Sequence, residues 1–173
     1  RGHSDTETLL AGFDVWGVEG TLKKSTGMFA IAIWDKLTSV LTLTRDRVGE
    51  KPLYYGWQGD TFLFGSNLAA LKAHSAFKSE INRDAIALLL RHNYIPTPYS
   101  IFTGIAKLAP GYSLSVSLQD SNPKLVQYWS AAQVIESGVA NGFSGTAIEA
   151  VDELEDLLGD SVRQRMIADV PLG

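Results

Sequence analysis

The sequence predicts an α+β fold rich in antiparallel sheet, and three observations carry that prediction. Short apolar or aromatic runs come in pairs around turn-forming residues; one run is apolar at every position; and helical periodicity is confined to separate stretches. The composition agrees, since 45% hydrophobic and 20% charged residues over 173 positions is globular usage. That length allows one domain, or most of one with part of another.

The elements follow in order. Ser4-Asp5-Thr6-Glu7 has the spacing of a capping box, and Leu9, Leu10, Phe13 and Trp16 then recur every three or four residues, predicting a helix that Gly17 or Gly20 can close. From Met28 to Trp34 both alternating sets are apolar, which predicts a strand buried on both faces. Val40 to Thr44 alternates and suits a hairpin partner for it. Leu53 to Trp57 and Thr61 to Phe64 form a second hairpin around Gly59-Asp60. Short helices are expected at Leu68 to Lys72 and at Arg83 to His92, the second capped by Asn82. Two prolines make Tyr94 to Pro98 extended loop, and Tyr112 to Leu118 with Leu125 to Trp129 reads as a further antiparallel pair.

Residues 137–145 hold three glycines, two serines and an asparagine, the composition of a linker. Beyond it Ile148, Val151, Leu154, Leu158, Val162 and Met166 step at helical spacing, predicting one amphipathic helix. Charge separates the two parts: residues 145–173 carry seven acids and two bases, residues 1–144 twelve acids and thirteen bases. The expected organisation is therefore a body over 1–136, a linker over 137–145, and a second part over 146–173.

Several functions are excluded or disfavoured early. A net charge of −4 lacks the footprint of a phosphate-backbone binder, so no nucleic-acid partner is expected. The longest apolar runs stop short of the ~20 residues that cross a bilayer, which predicts no membrane association and a cytoplasmic location. With no cysteine in the chain there is no disulfide, thiolate metal site or cysteine nucleophile within it. His3, His74 and His92 are too scattered to suggest a metal site.

Two places carry candidate chemistry. Asp5 reads either as a first-turn carboxylate complementing the helix dipole or as a fixed anion at the mouth of a cleft, accepting hydrogen bonds from a ligand ammonium. Arg45-Asp46-Arg47, followed by Gly49 and Lys51-Pro52, reads as an ion-paired turn at a strand end.

Four ordered motifs together resemble the glutamine-hydrolysing asparagine synthetases: Ser4-Asp5-Thr6-Glu7-Thr8-Leu9-Leu10, Gly27 to Asp35, Arg45 to Tyr55, and Ala168 to Gly173. Ile95 to Gly104 with Lys107 to Gly111 is similar to a further stretch of that family. The resemblance implies a partial αββα N-terminal-nucleophile-hydrolase sandwich, the distal part of a class II glutamine amidotransferase domain, over 1–136. It implies that 146–173 is the first helix and entry strand of an ATP-pyrophosphatase synthetase domain. The parent would use glutamine, aspartate and ATP with Mg²⁺ to amidate an aspartyl-adenylate with glutamine-derived ammonia. The family's nucleophilic cysteine and pyrophosphate loop are absent here, so this stretch alone is expected to be inactive and to hold no cofactor. Asp5 is the one glutaminase-site residue that maps onto it, where it would bind the α-ammonium of glutamine. Alternatives within the same architecture are an enzyme amidating a sugar or peptide precursor, a β-lactam-synthetase relative, and a non-catalytic relative. The apolar stripe of residues 146–166 is a candidate surface for a homo-oligomer.

Overall fold

In the computed structural model, residues 4–166 are described. The order is α1 (Asp5–Lys24), β1 (Ala30–Asp35), β2 (Val40–Arg45), β3 (Tyr54–Gln58), β4 (Thr61–Gly65), α2 (Leu68–Lys72), α3 (Arg83–His92), β5 (Ile105–Lys107), β6 (Tyr112–Ser117), β7 (Lys124–Gln127), α4 (Ala131–Ala140) and α5 (Ala147–Arg165). The chain divides into two compact units, one up to Ser130 and one from Ala131.

The first unit holds two sheets, antiparallel throughout. One runs β1-β2-β6-β7 and the other β4-β3-β5. Register explains why they stack. Leu43 lies opposite Ala32 on one side and Leu114 on the other, so Leu41, Leu43 and Leu114 share a face. That face meets Tyr55 and Phe62 from the three-stranded sheet, around a core of Leu43, Leu53, Leu108 and Leu114. The alternate residues Tyr54, Leu63 and Ile105 point the other way and pack with Leu68 and Leu71 of α2 and with Phe102. The three-stranded sheet is thus covered on both faces. Gly56 is required in it, because a Cβ there would stand 1.9 Å from the carbonyl oxygen of Gly104.

Local chemistry sets the boundaries as predicted in several places. Asn82 caps α3 by accepting hydrogen bonds from the N–H groups of Asp84 and Ala85. The β3–β4 hairpin turns at Gly59-Asp60 with a positive φ at Gly59 alone.

Other expectations need correction. The Met28–Trp34 run is a strand from Ala30, but it is not buried on both faces: Met28 and Trp34 are half exposed and Ala32 is open. The reason is topological, since β1 is the outermost strand of its sheet and only Ala30 of it packs on the inter-sheet core. Gly17 closes the first helical stretch, as expected, with a left-handed φ (φ 68°, ψ 175°), but a second stretch that the periodicity did not predict follows directly and carries α1 on to Lys24. The Ser4 hydroxyl accepts from the N–H of Thr6 rather than from Glu7, and the reciprocal capping box stands instead at Thr146 and Glu149, ahead of α5. Residues 137–140, read as linker, form the last turn of α4. The entry strand expected after α5 lies outside the described residues.

Candidate functional site

A trough of about 580 Å³ lies between the first half of α1 and the edge strand β1. Its walls are apolar, with Leu9, Leu10 and Phe13 on the helix, Ile31 and Ile33 on the strand, and Phe29 just ahead of it. Polar groups enter it from Asp5 and Thr6 on α1, from Lys51, and from Ser66. Few polar groups in an apolar concavity is the general make-up of a small-molecule site.

Asp5 is exposed at the first position of α1 and lines this trough. One carboxylate oxygen, Oδ1, accepts from the backbone N–H of Thr6 at 2.7 Å and from the hydroxyls of Thr6 and Ser4 at 3.3 and 3.4 Å. The other is given no partner by these bonds. The carboxylate thus stands in the first turn of α1 and lines the trough as well.

The Arg45–Pro52 loop reaches the trough through Lys51. It is a structural turn, as expected, but ion pairing does not hold it. Asp46 is fully buried, and each of its oxygens serves two donors. Oδ1 accepts from the N–H groups of Gly49 (2.6 Å) and Glu50 (2.9 Å), Oδ2 from those of Lys51 (3.0 Å) and Phe29 (3.3 Å). Burial alone would push the carboxyl up; the four N–H donors outweigh it and hold it below the ordinary aspartate range. Arg45 likewise spends its guanidinium on carbonyls, donating to Lys51, Leu108 and Gly49 at 2.6–2.8 Å. Tyr128 closes the cluster: its hydroxyl donates to the Arg45 carbonyl at 2.7 Å, and burial together with nearby Asp46 pushes its pKa up to about 12.

This cluster bears on the trough because Phe29 and Lys51 both line it and both bond to Asp46 Oδ2. The start of β1 and the Lys51 backbone are thus fixed to one carboxylate oxygen. Sequence reading found Asp5 but not Lys51 or Ser66 as trough residues. Lys51 was absorbed into the turn motif, and Ser66 had no signal beyond preceding the Asn67 cap of α2. Among the described residues no three His, Asp or Glu side chains gather to hold a metal ion, and no helix is long and apolar enough to cross a membrane.

Comparison with known proteins supplies the family. A model of the glutamine amidotransferase domain matches residues 1–129. The chain belongs to that family. Its fold is also similar to that of glutamine phosphoribosylpyrophosphate amidotransferase from Bacillus subtilis, with a TM-score of 0.50 at 17% identity over 74% of this chain and 23% of the other. In sequence this amidotransferase-family chain is 33% identical over 172 residues to a putative glutamine-hydrolysing asparagine synthetase, number 2 of Methanocaldococcus jannaschii, covering 98% of the chain and 32% of that protein. It is 33% identical over 178 residues to asparagine synthetase (glutamine-hydrolysing) 3 of Bacillus subtilis, covering 99% and 27%. The chain therefore spans about a third or less of the relatives it matches. The amidotransferase match ends one residue before the division between the two compact units.

Proposed function

We propose that this chain is the distal part of the glutaminase half of a glutamine-hydrolysing asparagine synthetase, with its second unit beginning the synthetase half. The observation that carries the reading is the Asp5 carboxylate lining the trough in a chain of the amidotransferase family. In this reading the trough takes the glutamine substrate, and Asp5 accepts hydrogen bonds from its α-ammonium group. A carboxylate suits that task because it is acceptor-only and charged at neutral pH. The nucleophilic cysteine would come from outside these 173 residues, which contain none.

The parent protein would hydrolyse glutamine and deliver ammonia, shielded from water, to aspartate activated as its adenylate. Shielding matters because ammonia in water is mostly protonated and loses its nucleophilic lone pair. ATP with Mg²⁺ would supply the activation of aspartate in the synthetase half of the parent.

The test uses the full-length parent carrying Asp5→Asn. A lost charge-assisted hydrogen bond of about 1.5–3 kcal/mol corresponds to a roughly ten- to hundred-fold rise in KM for glutamine. Synthesis driven by added ammonia should stay near the unsubstituted rate. Equal loss of both activities would assign Asp5 to folding of α1 instead.

A further inference from the structure

A second concavity of the first unit, of about 180 Å³, shares no lining residue with the trough. Its polar lining is Arg45, Lys107, Tyr54, Tyr94 and Thr97: two cations and three hydroxyls, with no carboxylate. The strand ladder brings the two charges together. Lys107 pairs with Tyr54 across β5 and β3, so their side chains share a face. Arg45 reaches the same place by donating from Nη1 to the carbonyl of Leu108, the next residue along, at 2.8 Å. The wall opposite is tied down as well, since Lys107 donates its backbone N–H to the Pro98 carbonyl at 2.8 Å and its Nζ to that of Ile95.

The two charges are not offset alike. The charge of Asp46 favours the Arg45 guanidinium, whereas the charge that acts on Lys107 is that of Arg45 itself. Burial and this neighbouring cation hold the Lys107 ammonium below the ordinary lysine range. Among the described residues no carboxylate forms an ion pair with either cation. A lysine needed only to clamp a loop gains nothing from being set, half-buried, beside a second cation.

We propose that this concavity holds one small organic carboxylate between Lys107 and Arg45. Charge selects the class: with Asp46 set against Arg45, one positive charge is left over, which matches a monoanion better than a phosphate dianion. Donors remain for both oxygens, since Lys107 spends one of three N–H groups on Ile95 and Arg45 three of five on carbonyls. Pro52 and Ile95 supply apolar wall for a short carbon chain. The volume is below that of pockets for drug-sized molecules, so the ligand has few heavy atoms. Two charge-assisted bonds at a half-open site imply weak binding, with a Kd of about 1–10 mM. The proposal stands or falls apart from the glutamine reading, because the two concavities have separate linings.

Propionate is the probe, titrated against chloride at constant ionic strength. In the full-length parent it should slow the labelling of Lys107 by an amine-directed reagent, read by mass spectrometry, and leave that of Lys72 unchanged. In this chain it should shift the amide NMR signals of Thr97, Lys107 and Leu108 saturably, and not those of Asp5 and Thr6 in the trough. Lys107→Met keeps most of the stem without the charge and should weaken binding about ten-fold or more. Lys107→Arg keeps the charge and should stay within about three-fold. If Lys107→Met does not fold, the labelling and Lys107→Arg decide. No saturable response up to about 100 mM, or the same response in Lys107→Met, overturns the proposal. Phosphate binding about ten-fold more tightly than propionate overturns the carboxylate class. Binding to this chain without protection of Lys107 in the parent shows that the rest of the protein fills the concavity, and overturns it too.

Discussion

The Arg45–Pro52 loop and α5 are both rich in charge, and the structure treats them oppositely. In the loop a carboxylate is buried and every bond from Asp46 and Arg45 described above goes to the backbone. In α5 the acids and bases stay exposed, Asp160 bonding to Arg163 and Gln164 along the helix, and none of the apolar residues beside them is buried. Charge pattern alone does not say which outcome follows. The difference lies in whether unpaired backbone donors converge nearby: a loop that doubles back leaves N–H groups in need of an acceptor, whereas a helix satisfies its own.

The largest effect should come from attacking the loop. Asp46→Asn places an amide NH₂ against two N–H donors at one end of the side chain, whichever way it is turned. A loss of about 3 kcal/mol is expected, lowering the midpoint of thermal unfolding of the first unit by roughly 10 °C. The pH dependence sharpens this. Because the folded carboxyl titrates below its ordinary value near pH 4, its contribution is present above that pH and fades as pH falls through the folded value. The variant should lack that part of the acid dependence; an unchanged midpoint and acid limb would show that the loop is held by something else.

Next in size is Tyr128→Phe, which removes the donor to the Arg45 carbonyl and should cost about 1 kcal/mol. Here the folded pKa is raised to about 12, so the stabilisation is complete below pH 10 and is lost as pH rises toward 12. Alkaline unfolding followed by fluorescence should lose that component in the variant.

The smallest effect belongs to α5. Thr146→Ala removes its capping box and should cost about 0.5 kcal/mol of helix stability, visible as lost helical dichroism. The thermal midpoint of the first unit should not move. A shared shift would show that the two units fold as one and would break the contrast drawn above.

What was legible in the sequence follows the same division. Elements governed by their own residues were read almost to the residue: the Asn82 cap and α3, the Gly59 hairpin, and the periodicity of α5. Properties governed by distant partners were not. The apolar run at Met28–Trp34 gives a strand, but whether it is central or at an edge depends on which strands flank it. Three-residue β5 carries too little pattern to be seen, and it exists because β3 offers Tyr54 to Gly56 a neighbour. Of the candidate site, Asp5 was found through its motif, while Lys51 and Ser66 come to the trough only through the doubling back of the loop and the end of β4. Asp46 looked like one member of a surface charge alternation because four N–H donors from two separate segments cannot be foreseen from local spacing.

Asp46 also has a consequence for motion. The amides of Phe29, Gly49, Glu50 and Lys51 end on a single side chain, so none of them can exchange with solvent through an opening that leaves the others untouched for long. One wall of the trough, the start of β1 with the Lys51 backbone, therefore opens and closes as a unit. The other wall, the first half of α1, ends at the break at Gly17 and shares none of those bonds. The trough is therefore bounded on one side by segments tied together through a single carboxylate and on the other by the helix that carries Asp5, which is not tied to it.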